Sequence, residues 1–302
     1  MKKADIVLGT GAILAGALTV LYLLGPGKET PEPVAPPPVL EQAPAVEQSV
    51  DEQSPVRYPV APPSAEQKSP DDETASAPPP DDEAGAGQEP EAVAEAPALP
   101  PLDQSDDAVV ASLSTSVAIG TIESLFNTDA LIRRFVVTID NLPGKQFPRS
   151  RYRLARSVPG LLAVRREDSA DTELLYLNTE NFTRYKPFVD FLSTFDAGQM
   201  VSLYRHYYPL FQQAYEDLGY PESAYFNDRL VAVIDHLLET PAIDVPIRLV
   251  RPHVLYRYLL PELEGLSAGQ KVLLRIGPDQ ARRLKSKLRE VRGLLTAAGG
   301  KG

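Results

Sequence analysis

The sequence predicts a mainly α fold: an irregular helical bundle with one small β-hairpin, preceded by a transmembrane helix and a disordered linker. Three observations predict it. An uncharged apolar run covers Ile6–Leu24, a proline-rich acidic stretch follows, and from Asp103 onward apolar residues recur at helical spacing between recognisable caps. The expected organisation is an N-terminal stub over 1–5, a membrane helix over 6–24, a linker over 25–102, a soluble domain over 103–297 and a frayed tail over 298–302.

The 19 residues from Ile6 to Leu24 carry no charge. At a rise of 1.5 Å per residue they span about 28 Å, close to the ~30 Å hydrocarbon core of a bilayer. Lys2 and Lys3 precede the run and only Lys28 follows closely, which predicts a cytoplasmic N-terminus and a soluble domain on the far side. Ala15-Gly16-Ala17 also offers the small-x-small pattern of a signal-peptide cleavage site. Cutting there would leave Leu18–Leu24 as an apolar terminus, which favours an uncleaved anchor. Gly11 and Ala15, like Ala12 and Gly16, sit four apart and suit self-association of the anchor helix.

Nineteen of the 30 prolines fall between Pro26 and Pro101. The stretch from Gly25 to Leu102 holds 16 acidic residues against Lys28, Arg57 and Lys68, more than the whole net charge of -11. The acidity therefore belongs to the linker, and the part after it is close to neutral. So few large apolar residues cannot offset the entropy of ordering, which predicts disorder; proline and like-charge repulsion extend the chain. It reads as a spacer or as a binding segment. The absence of cysteine excludes thiol catalysis, thiolate metal sites and disulfides together.

Within the domain, helices are predicted over Ser105–Val117, Ile119–Phe126 and Asp129–Asn141, the last capped by Thr128 and ended by Pro143-Gly144. Leu161–Arg166 and Glu173–Asn178 read as the two strands of the hairpin. A helix over Glu180–Phe195 contains Pro187. Asp196 caps the next, over Ala197–Leu218, which contains Pro209 and closes at Gly219. Ser223–Glu239 follows. Ser267 caps a short helix to Ile276, Gly277-Pro278 breaks the chain, and a last helix runs from Asp279 to Thr296.

The stretches Leu131-Ile132-Arg133-Arg134-Phe135-Val136-Val137-Thr138-Ile139-Asp140-Asn141-Leu142-Pro143 and Tyr208-Pro209-Leu210-Phe211-Gln212-Gln213-Ala214-Tyr215-Glu216-Asp217-Leu218-Gly219-Tyr220-Pro221 carry a family resemblance. Phe226-Asn227-Asp228-Arg229-Leu230 and Leu266-Ser267-Ala268-Gly269-Gln270-Lys271 strengthen it. Together they resemble a bacterial family catalogued as domain of unknown function 3014, over roughly Leu102–Leu295. Its usual layout of anchor and proline-rich linker is similar to the one read above. The resemblance implies a bacterial inner-membrane protein with its domain in the periplasm, and it brings no reaction with it.

Three groups of residues are candidates for chemistry. Asp235, His236 and Glu239 lie close on one helix; two ligands on a shared face fall short of a metal site, and no metal or cofactor is expected. The polar set Arg133, Arg134, Asp140, Gln212, Gln213, Glu216, Asn227, Asp228 and Arg229 is either an ion-pair network that fixes helix packing or the floor of a cleft. Between Lys145 and Arg166 every charged residue is a cation, and Arg149, Arg151, Arg153, Arg156, Arg165 and Arg166 form the candidate anion- or partner-binding surface. Its occupant would be an anionic cell-envelope group, a protein partner or the acidic linker folding back. Nucleic acid is not expected outside the cytoplasm. The last helix carries an apolar stripe of Ala281, Leu284, Leu288, Val291 and Leu295, suited to a membrane surface or to its own core.

These features favour a non-enzymatic interaction or scaffold module of the cell envelope, displayed on a tether. The alternative is an envelope hydrolase or transferase with its site around Asp228.

Overall fold

The computed structural model describes residues 58, 60, 99–146, 150–157, 162–169 and 172–297. The segments read as anchor (Ile6–Leu24) and tail (298–302), and most of the one read as linker, lie outside the described residues. Among the described residues no helix is long and apolar enough to cross a membrane.

Helices account for most of the domain. α1 (Asp106–Ser114), α2 (Ile119–Leu125) and α3 (Leu131–Asn141) come first, then strands β1 (Val164–Ser169) and β2 (Thr172–Leu177). α4 (Glu180–Ser193), α5 (Ala197–Glu216) and α6 (Phe226–Leu238) follow. β3 (Arg248–Val250), β4 (Arg257–Tyr258), α7 (Pro261–Glu264), α8 (Ala268–Arg275) and α9 (Pro278–Ala297) complete the chain. The folded unit begins before Asp103, because Leu102 is buried and Leu99 packs against the main core.

α5 is the spine. Its apolar face, including Met200, Tyr204, Leu210 and Phe211, meets Phe135 of α3 and Phe226 of α6 in an edge-and-stack aromatic cluster. α4 and α5 are continuous through Pro187 and Pro209. On α9 the stripe Leu284, Leu288, Val291 and Leu295 is buried in the main core. Burying each such side chain is worth roughly 1.5–3 kcal/mol. The membrane-surface reading of this helix is thereby corrected: its apolar face is already used.

The single predicted hairpin is also corrected. β1 and β2 pair antiparallel as expected, but β3 joins β2 and β4 joins β3, giving a four-stranded antiparallel sheet in the order β1-β2-β3-β4. Leu175, Leu177, Leu249 and Tyr258 form a second, smaller core with Leu263 of α7 and Leu274 of α8. That core gives the two short strands their place, although they carry almost no sequence signal of their own.

Helix starts follow two different rules. Asp196 and Ser267 each accept a hydrogen bond from the N–H three residues on, and Gln199 and Gln270 reach back in turn, forming two local capping boxes. α3 and α6 instead borrow caps from neighbouring helices. Thr128 does not cap α3: Asp106 on α1 accepts from Ala130 N–H at 2.7 Å and Leu131 N–H at 2.8 Å, and Ala130 is held at a left-handed φ of 49°. At α6, Phe226 N–H donates to Gln212 Oε1 at 2.9 Å. At the other end of α6, Lys285 of α9 donates to the carbonyls of Leu238 and Thr240, and burial lowers its pKa.

Candidate functional site

The dense polar set resolves into structural pairs. Asp140 on α3 accepts from Arg229 Nε at 2.9 Å and from the Tyr220 hydroxyl at 3.0 Å, while Arg229 also donates to the Asp140 carbonyl at 2.7 Å. Burial, followed by the Asp140 charge, pushes the Tyr220 phenol up to about 12. Arg133 bridges Asp103 at 3.1 Å and Asp217 at 2.6 Å, tying the start of the domain to the end of α5. Gln212 accepts from Phe226 N–H and donates to Ala224 O and Glu216, so it spans the α5–α6 turn. These residues hold helices together.

His236 has a similar role. Its Nε2 lies 2.8 Å from the Ser267 hydroxyl, which caps α8, and Gln270 donates to the His236 carbonyl at 3.1 Å. Burial lowers the pKa of the imidazole. Among the described residues no three His, Cys, Asp or Glu side chains gather as a metal site would require.

The arginine surface divides into two parts, and Arg149 lies outside the described residues. Arg151, Arg153 and Arg156 sit on the segment between α3 and β1, whose main chain is pinned from below. Arg134 on α3 donates to the Arg151 carbonyl and, at 3.2 Å, to the Arg153 carbonyl, and Asn127 donates to the latter at 2.9 Å. Phe126 and Ala155 form an isolated antiparallel bridge there. The Arg151 side chain is exposed, with its guanidinium 4.8 Å from the Tyr152 ring centre. Arg156 is exposed and donates through Nε to Phe126 O at 3.0 Å. Arg165 and Arg166 are on β1, where Arg165 pairs with Glu167 and Arg166 with Glu173 at 3.1 Å. The cations of the strand are thus matched by acids, and those of the 150–156 segment are carried on a fixed backbone.

One feature lies outside both groups. Tyr58, far back in the stretch read as linker, rests against α6. Its N–H donates to Asp228 Oδ1 at 3.0 Å and its carbonyl accepts from Asn227 Nδ2 at 2.7 Å. Val60 packs on the main core. Asp235 pairs with Arg292 of α9, with Arg292 Nη2 at 2.9 Å from Asp235 Oδ2; this pairing, with a smaller contribution from Tyr58, raises the Arg292 pKa. Asn227 is buried, yet among the described residues its Oδ1 has no hydrogen-bond partner, and neither has the buried Tyr204 hydroxyl on α5. Asn227, Asp228 and Asp235 were legible in the sequence as candidate polar residues; Tyr58 and Val60 were not. The available signal was the alternation Val56, Tyr58, Val60 inside an otherwise small-residue, acidic stretch.

The fold defines a mainly helical domain with a small antiparallel sheet, its internal polar groups used for helix capping and pairing. The chain belongs to the family described as "Protein of unknown function (DUF3014)", which matches residues 131–292, from the first residue of α3 into α9. That range includes Asn227, Asp228, Asp235 and Arg292, and excludes Tyr58. No curated protein and no solved structure matches the chain.

Proposed function

We propose that this protein is a non-enzymatic interaction module of the bacterial cell envelope, anchored through Ile6–Leu24 and displayed in the periplasm on its acidic, proline-rich tether. Its partner surface is the arginine group Arg149, Arg151, Arg153, Arg156, Arg165 and Arg166, and its partner an anionic protein or envelope component.

The pinned 150–156 segment carries this reading. An arginine side chain bound to a mobile loop loses much of its ionic gain to ordering; one carried on a backbone already fixed by Arg134, Asn127 and the Phe126–Ala155 bridge loses less. The enzyme alternative has less support, because Asp140, Gln212, Glu216 and Arg229 are engaged in packing.

The test uses the full chain in detergent micelles and immobilised anionic or neutral lipopolysaccharide-like surfaces and acidic proteins. Arg151→Glu with Arg153→Glu should abolish capture by the anionic ligands at low salt, and raising salt should weaken wild-type capture in parallel. Equal capture by wild type and variant, with equal thermal stability, overturns the proposal.

A further inference from the structure

We propose that the Asn227–Asp228 end of α6 is a recognition site for a short peptide segment, and that its resident ligand is this chain's own Tyr58–Val60 segment bound in cis. The reading is independent of the arginine surface.

The contacts have the form of peptide recognition. Both main-chain polar groups of one residue, Tyr58, are matched by side chains of two consecutive residues across a separation of about 170 positions. Neither side chain is needed to start α6, since Gln212 takes the Phe226 N–H. The side chains then supply selectivity. Tyr58, at a bend of the chain, brings an aromatic ring beside Arg292, which Asp235 orients, and Val60 supplies an aliphatic group packed on the main core. Main-chain bonds for affinity and alternate side chains for choice is the general scheme by which folded domains hold extended peptides.

The segment suits the site. Proline at position 59 restricts the backbone of the residue before it, Tyr58, so less entropy is lost on docking. Val56, Tyr58 and Val60 supply aliphatic and aromatic side chains in a region rich in proline, alanine and acids. The ligand class is therefore an aromatic-x-aliphatic peptide segment. Because the resident copy is tethered, its effective concentration is on the order of millimolar, and a free peptide of the same sequence competes only near that level. Docking also places Val60 on the same core as Leu99, and the sequence between them holds ten acids against Lys68. The tether's reach is then set by whether the site is occupied in cis.

The chain contains no cysteine, so a single introduced pair labels it without background. Spin labels on Ser54→Cys and Ser223→Cys in the full chain, in micelles, report the distance from the segment to the turn before α6. Wild type should give a short, narrow distance distribution. Tyr58→Pro removes the N–H that Asp228 accepts, and Val60→Asp places a charge against the core. Each should lower the docked-to-undocked ratio about tenfold or more, the scale of losing one hydrogen bond to a charged group. Both changes lie outside the folded helices, so circular dichroism of the domain should be unaltered and thermal unfolding should fall by no more than a few degrees, the stabilisation that docking supplies. A peptide spanning residues 53–64, added at millimolar concentration, should broaden the wild-type distribution. A broad distribution in wild type, or a narrow one that both variants leave unchanged, overturns the proposal. So does loss of the short distance on dilution with unlabelled chain, which would assign the segment to a second copy.

Discussion

The start of α3 hangs on one carboxylate from another helix, and its removal has a calculable effect. Asp106 receives the N–H groups of Ala130 and Leu131 at 2.7 and 2.8 Å while Ala130 occupies a left-handed conformation. Loss of an N-cap costs about 1 kcal/mol and up to ~2 kcal/mol, and a hydrogen bond to a charged group contributes about 1.5–3 kcal/mol when shielded from water. Ala130 is exposed and Leu131 buried, so only one of the two bonds is shielded, and Asp106→Ala should cost about 2 kcal/mol. For a folded unit of about 200 residues that lowers Tm by roughly 4–8 °C. Asp107→Ala is the control. It removes a carboxylate from the same first turn of α1, so both variants alter that helix's dipole equally, but it breaks no cap to α3. Its expected effect is within about 0.5 kcal/mol. Thermal and urea unfolding followed at 222 nm measure both. Equal shifts for the two variants, or a change below about 1 °C for Asp106→Ala, would refute the borrowed cap.

Two further outcomes follow from the geometry. The folded-state pKa of His236 is depressed below its ordinary 6.5 by burial, so the unfolded chain binds its proton first as pH falls. Its contribution is complete above 6.5 and is lost as pH drops through the depressed folded value. His236→Gln should therefore flatten the difference between urea midpoints at pH 7.5 and pH 5; an unchanged difference counts against this. The two glycines at positive φ separate strain from crowding. At Gly277 (φ 86°) an added Cβ would lie 2.6 Å from the Phe182 ring, whereas at Gly219 (φ 99°) it meets nothing within 4 Å. Gly219→Ala should cost about 1 kcal/mol and Gly277→Ala about 3 kcal/mol, the excess being overpacking that Phe182→Leu relieves. Equal costs at the two positions, by chemical denaturation, would show that the ring moves aside freely.

What the sequence could and could not announce depends on the range of the interaction. The capping boxes at Asp196 and Ser267 are written within four residues, and both were legible. The caps of α3 and α6 are supplied from 24 and 14 residues away, by Asp106 and Gln212, and Thr128 looked like the better donor of a cap only because it was near. β3 and β4 have three and two residues, too few to show an alternation, and are fixed by pairing with β2 and by Leu263 and Leu274. In the candidate sites, the residue types were visible but not their partners. Arg134 reads as a surface cation and serves as a staple under the 150–156 segment. Composition made a spacer of the stretch around Tyr58, because a window average hides one aromatic and one valine that meet a complementary surface.

The hold on Tyr58 also makes the chain a mechanical element. Tension on the chain before Tyr58 enters the domain at α6, through the Asp228 and Asn227 bonds, before it reaches the chain at Leu99. Two hydrogen bonds pulled in shear yield well before a buried core does, and roughly 40 residues of sequence, about 130 Å of contour at full extension, separate Tyr58 from Leu99. The point at which load enters the fold is thus set by whether Tyr58 is held.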